Sequence, residues 1–98
     1  MNDEAAYEIV NNEPRGQWEL RLAPDDRVIG YLSYDLNEEE IFFTHTVIHK
    51  DFQGRGLAGE LVRTALDFEK EQGVRKIVPI CSYVQKFVAD NPGYPVAE

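Results

Sequence analysis

A chain of 98 residues with 43% apolar content is long enough for one small core and too apolar for disorder. Its formal charge of −8 excludes non-specific nucleic-acid binding, which needs a basic face, and obliges any anionic ligand to be held by local features against the overall field. One cysteine, Cys81, excludes an internal disulfide and any multi-cysteine metal site, and no apolar run reaches the length of a membrane span.

In chain order, Met1-Asn2-Asp3-Glu4-Ala5-Ala6 has neither the basic nor the apolar region of a signal peptide. A cytoplasmic domain covering residues 1–98, monomeric or weakly homodimeric, is therefore expected. Tyr7 to Asn12 reads as a short strand and Glu13-Pro14-Arg15-Gly16 as a turn. Trp18, Leu20 and Leu22 alternate with Gln17, Glu19 and Arg21, the period of a half-buried strand. Pro24-Asp25-Asp26 turns the chain into a third strand, Val28 to Tyr34, with Gly30 marking a bulge. Asn37-Glu38-Glu39 leads to a fourth, Ile41 to Ile48. Connections this short favour an antiparallel meander.

The period then changes. Leu57, Ala58, Leu61, Val62, Ala65, Leu66 and Phe68 recur at helical spacing, with the run ending near Gln72 and Gly73 just beyond it. Lys76 to Ile80 is a fifth strand, and the helical crossover makes it parallel to the fourth. Ser82-Tyr83-Val84-Gln85 has capping-box spacing and predicts a second helix from just after Ser82 to about Asp90, stopped by Asn91-Pro92-Gly93. The expected fold class is α/β (α+β): a mixed sheet with an antiparallel meander, a β-α-β crossover and a C-terminal helix.

The richest segment is Gln53-Gly54-Arg55-Gly56-Leu57-Ala58, between the fourth strand and the long helix. The first N–H groups of a helix have no internal partner and carry partial positive charge, and glycines let a phosphate approach the backbone. Gly54, Gly56 and Gly59 also spell G-x-G-x-x-G, but the carboxylate a dinucleotide fold needs about twenty residues further on is absent from Val74 to Ile80. The plainer reading is a tight strand-to-helix connection.

Four strands running into Gln-x-x-Gly-x-Ala at a helix start resemble the acetyl-CoA-binding core of the GNAT superfamily of N-acetyltransferases; Gln53, Gly56 and Ala58 carry the match. Similarity is greater to the compact, single-domain branch of that superfamily. It rests on His45-Thr46-Val47, Gly54 to Leu61, Pro79-Ile80-Cys81-Ser82-Tyr83-Val84 and Asn91-Pro92-Gly93-Tyr94. Lys50 replaces the usual proline ahead of the loop.

The resemblance implies acetyl-CoA as co-substrate, an amine acceptor and no metal. The fourth and fifth strands would splay, offering the backbone of Thr46, Val47 and Ile48 to pantetheine. N–H groups from Gly54 to Gly59 would hold the pyrophosphate, with Arg55 at the mouth and Asn91 and Tyr94 along one side of the groove. Cys81, before a helix N-terminus, reads as a nucleophile, a pocket wall or an inert buried thiol. His45 reads as a general base or a histidine packed in the sheet, and Tyr83 as a proton donor to the leaving thiolate or a core aromatic. A non-catalytic acyl-CoA-binding module is the alternative.

Overall fold

The structure is a computed structural model that describes residues 6–98; the reading of the leader falls almost wholly outside them. Five strands form one sheet in the order β1-β2-β3-β4-β5: β1 (Tyr7–Asn12), β2 (Gln17–Leu22), β3 (Arg27–Leu36), β4 (Glu40–Ile48) and β5 (Lys76–Pro79). The first four pair antiparallel and β5 lies parallel to β4, as the short turns and the helical crossover require. The crossover is α1 (Leu57–Gln72), and α2 (Ser82–Asp90) follows β5. No described helix is long and apolar enough to cross a membrane.

The core forms because α1 lays its apolar stripe on one face of the sheet. Leu61, Val62, Ala65 and Leu66 pack with Trp18, Leu32, Tyr34, Ile41, Phe43 and Ile77, and Val84 and Phe87 of α2 join the same cluster. A smaller cluster of Leu20, Ile29 and Leu57 pins the first turn of α1 to β2 and β3. Gly73 ends α1 in a left-handed conformation, its N–H donating to the Glu69 carbonyl.

Two bulges shape the sheet. In β3 the extra residue is Ile29, since Leu20 faces Gly30 and Arg21 faces Val28. Gly30 itself is needed for close approach: a Cβ there would lie 2.7 Å from Ile48 Cδ1 and 3.0 Å from the Val47 carbonyl oxygen. In β4, Thr44 is extra, because Ser33 faces His45 and Tyr34 faces Phe43.

The second helix corrects one expectation. Its N-cap is Cys81 rather than Ser82, and no side chain caps it. Gln85 does not complete a capping box; its amide donates back to the carbonyls of Pro79 and Ile80 at 3.1 and 3.2 Å. The C-terminal tail adds a feature absent from the sequence reading. Ile77 N–H donates to Pro95 and Ala97 N–H donates to Ile77, so the tail covers the outer edge of β5.

The other face of the sheet carries no described helix, yet Glu19 there is only 2% exposed. Its carboxylate accepts from Asn12 (3.0 Å), Gln17 (2.7 Å) and Arg21 (3.0 and 2.8 Å). Burial pushes its carboxyl up, but these hydrogen bonds and the Arg21 charge outweigh it and hold the pKa below the usual range. A depressed folded pKa means stability that is present above the unfolded value, about 4.3, and is lost as pH falls through the folded value. Glu19→Ala strands three donors and is expected to cost about 2 kcal/mol, lowering Tm on the order of 10 °C. Glu19→Gln should flatten the dependence of the urea midpoint on pH below about 5; an unchanged pH profile would remove Glu19 from this account.

Candidate active site

The site lies where β4 and β5 part. Their pairing covers Glu40 to Phe43 against Lys76 to Pro79 and then stops. The Phe43 carbonyl receives both the Ile80 and the Cys81 N–H (3.0 and 2.9 Å), which turns the chain out of β5 and into α2. Beyond that point β4 continues alone along this edge to Ile48.

The Thr44 bulge decides which groups face the gap. His49 N–H donates to Ile29 in β3, so strand alternation turns the peptide groups of Thr46 and Ile48 to the open edge. The Val47 carbonyl lies against Gly30 instead, and the Val47 side chain is exposed on the helix-free face. Of the three residues expected to expose their backbone here, Thr46 and Ile48 do so and Val47 does not. The Ile48 carbonyl is engaged by the Gln53 amide at 2.9 Å, which ties the Gly-rich loop to the end of β4.

His49 starts this loop: its Nδ1 accepts from Asp51 N–H at 3.2 Å and opens a 3-10 turn, Lys50–Phe52. Gly54 and Gly56 follow with φ of +79° and +76°, in the left-handed region that glycine favours. A Cβ at either position would meet nothing within 4 Å, so both turn their bare Cα side to open space. Gly56 is the N-cap of α1 and makes no side-chain cap bond. The first helical bond runs from Glu60 N–H to the Gly56 carbonyl, leaving the N–H groups of Leu57, Ala58 and Gly59 ahead of it.

A cavity of about 230 Å³ lies against this turn, lined by Gln53, Gly54, Gly56, Leu57, Ala58 and Tyr83, with Ile48 and Phe52 behind. Arg55 does not line it; its guanidinium lies 5.3 Å from the Phe52 ring centroid and donates to the Asp51 carbonyl at 3.4 Å. Arg27, at the start of β3, lies over the same ring at 5.8 Å. Arg27 escaped the sequence reading because it sits far from the loop in the chain and in no motif. The two arginines supply local positive charge on a chain of net −8.

Tyr83 is 41% exposed rather than in the core, and its hydroxyl would lie 3.5 Å from a Cβ on Gly59. Cys81 sits at the head of the splay, half-buried, with Sγ 3.3 Å from Thr46 Oγ1. Burial pushes its thiol up, but hydrogen bonds from the Thr46 hydroxyl and from the N–H groups of Val84, Tyr83 and Thr46 prevail and hold its pKa below the ordinary thiol value. The start of α2 thus supplies two of the donors that favour the thiolate.

His45 is exposed and its Nδ1 lies 3.4 Å from Ser33 Oγ, which also bonds Thr44 Oγ1 at 2.7 Å. Neighbouring residues of a strand face opposite ways, so its ring projects from the helix-free face while Thr46 reaches Cys81. The structure therefore pairs Cys81 with Thr46, sets Tyr83 against the loop cavity, and puts His45 on the other face of β4. Asn91 shares a separate small cavity with Tyr83 on α2, and Tyr94 packs on α1. Asn91 Nδ2 caps the Phe87 carbonyl at 2.9 Å, and the Tyr94 hydroxyl donates to Asp67 midway along α1; neither lines the loop cavity.

Solved structures of similar fold include a GNAT family acetyltransferase from Elizabethkingia anophelis with acetyl-CoA bound. It is 12% identical with a TM-score of 0.57, and the match covers 99% of this chain and 80% of that one. A ribosomal-protein-alanine N-acetyltransferase from Brucella melitensis biovar Abortus 2308 is 19% identical with a TM-score of 0.56, over 86% and 64% of the two chains. Among relatives, Protein NATD1 of Bos taurus is 34% identical over 86% of this chain and 74% of its own length. Protein NATD1 of Xenopus tropicalis is 29% identical over 94% and 84%. Residues 17–97 match the sequence profile described as GCN5-related N-acetyl-transferase. With the mixed sheet, the splay and the uncapped helix start in place, the chain belongs to the GCN5-related N-acetyl-transferase family.

Proposed function

We propose that this protein binds acetyl-CoA in the splay between β4 and β5 and transfers its acetyl group to an amine by way of Cys81. The observation that carries the reading is the placement of a thiol with depressed pKa at the head of the splay, beside an open glycine turn that leads into α1. The N–H groups at the start of α1 receive the diphosphate, and Arg27 and Arg55 add charge at its edge. The Thr46 carbonyl and the Ile48 N–H, on the open edge of β4, pair with the amide groups of pantetheine as a further strand would.

Cys81 Sγ, as thiolate, attacks the thioester carbonyl carbon. A new C–S bond forms, the bond to the coenzyme sulfur breaks, and the departing thiolate takes a proton from Tyr83, which regains one from solvent. A neutral amine then attacks the acetyl group on Cys81. The C–N bond forms, the Cys81 C–S bond breaks, and the proton that the nitrogen loses reaches His45, on the other face of β4, through solvent water. The exposed ring on the helix-free face fits an acceptor arriving from that side.

Binding is tested by calorimetry and thermal unfolding with acetyl-CoA, CoA and NAD. A ligand that binds the native state alone raises Tm, by about 2.7 kcal/mol of stabilisation at one hundred times its Kd. Acetyl-CoA and CoA should do so and NAD should not. Tight CoA binding with no turnover of peptides, polyamines or small amines would leave an acyl-CoA-binding module in place of an enzyme.

A further inference from the structure

A second cavity, of about 400 Å³, opens at the opposite end of the sheet. Its wall comes from the ends of β1 and β3, the turn between β1 and β2, the last turns of α1 and Arg75. Glu69, on α1, is twelve residues past Leu57, which places it roughly 18 Å along the helix from the glycine turn. The cavity is thus no part of the acetyl-transfer site.

Glu69 is 4% exposed and lines this cavity; its Oε1 is shut off from solvent and, like the buried indole N–H of Trp18, has no hydrogen-bond partner among the described residues. An orphaned carboxylate oxygen at this depth is costly unless something pairs with it. Burial pushes its carboxyl above the usual range, with the Arg75 charge pulling the other way. Arg75 makes no ion pair with it within 4 Å; its Nε donates to the Asn37 carbonyl at 2.6 Å. Glu13 and Asp35 add two more carboxylates to the lining, against Arg75 as the one cation. The Phe68 ring supplies an apolar wall, set edge-on to Trp18 at 5.4 Å. The acidic groups do not converge as a metal site: no cluster of three His, Cys, Asp or Glu fit for a metal occurs among the described residues.

We propose that this cavity binds an organic ammonium ion with an apolar body, the ammonium donating to the Glu69 carboxylate and the body resting on Phe68. A net negative lining selects the charge, the aromatic wall selects the body, and the volume suits a small ligand. The site is independent of the acetyl-transfer reading and needs no coenzyme.

The test is a titration of the ¹⁵N-labelled protein, free of coenzyme, with 2-phenylethylammonium and with its near-isostere 2-phenylethanol. The ammonium should bind saturably and shift the amides of Phe68, Glu69 and Tyr34, with the alcohol at least about tenfold weaker. Glu69→Gln should weaken the ammonium about tenfold or more and bring the two probes level. Asp35→Asn, on the exposed rim, should weaken it about two- to threefold, and it decides the matter if Glu69→Gln does not fold. The proposal is overturned if the two probes bind alike, as they would were Glu69 to close on the Trp18 indole N–H. It is overturned equally if neither variant changes ammonium binding, or if the shifts gather at Cys81, Thr46 and His45. None of these results bears on whether acetyl-CoA binds.

Discussion

Gly56→Glu is expected to weaken acetyl-CoA binding by at least about a hundredfold, roughly 2.7 kcal/mol, while leaving a folded protein. The residue stands at the N-cap of α1 with φ of +76°, and a Cβ there projects into open space rather than into the core. A glutamate side chain would therefore fill the volume assigned to the diphosphate and place like charge against it. It would also partly neutralise the positive end of the helix. The fold pays only the strain of a non-glycine residue in the left-handed region, about 1–2 kcal/mol, or a Tm drop of roughly 4–16 °C. Gly56→Ala carries the same strain without the charge or the bulk, and should keep affinity within about tenfold of the parent. Calorimetry on the three proteins separates the terms. Parent-like binding by Gly56→Glu would mean that the diphosphate is held elsewhere.

The order of elements was legible because each signal in the chain was local. Alternation in Trp18-Glu19-Leu20, helical spacing from Leu57 to Phe68 and the glycines at 54, 56 and 73 each answer to one backbone geometry. The acetyltransferase family followed from the same loop with the Cys81 segment, and the profile match over 17–97 agrees with it. What escaped was set by tertiary contact. Thr44 is an ordinary strand residue, yet its bulge turns Thr46 and Ile48 to the splay and Val47 away from it. Arg27 reaches the loop only because β3 runs beside β4. Ser82 and Gln85 have the right spacing for a capping box, but the sharp exit from β5 leaves two carbonyls for Gln85 to bind, and the cap falls one residue earlier. Asn91 and Tyr94 follow the Cys81 segment in sequence, and their polar groups bond Phe87 and Asp67 rather than the loop cavity. Helical spacing does place Glu69 on the apolar stripe, three residues past Leu66 and four past Ala65, but only packing shows that its Oε1 lacks a partner.

Cys81→Ala is expected to lower kcat on the order of a thousandfold with acetyl-CoA binding preserved, because the thiol is asked to carry the acetyl group rather than to grip the coenzyme. Without acceptor, the parent should become acetylated on Cys81 when mixed with acetyl-CoA, and mass spectrometry of the intact chain should find one acetyl group that Cys81→Ala lacks. The rate of that step should climb with pH as the thiolate forms, with its midpoint below the ordinary thiol range, because Thr46 and the first N–H groups of α2 favour the anion. Thr46→Val removes the hydroxyl partner at 3.3 Å and should move the midpoint upward. If His45 takes the amine proton as proposed, His45→Ala should leave acetylation of Cys81 intact and slow transfer to the amine by about a hundredfold, since its ring lies on the other face of β4 from the thiol. The two variants thus divide the reaction at the covalent intermediate. A Cys81→Ala protein that keeps its kcat within about tenfold and a parent that never becomes acetylated would together make Cys81 a wall of the acyl pocket. The amine would then attack the coenzyme thioester directly.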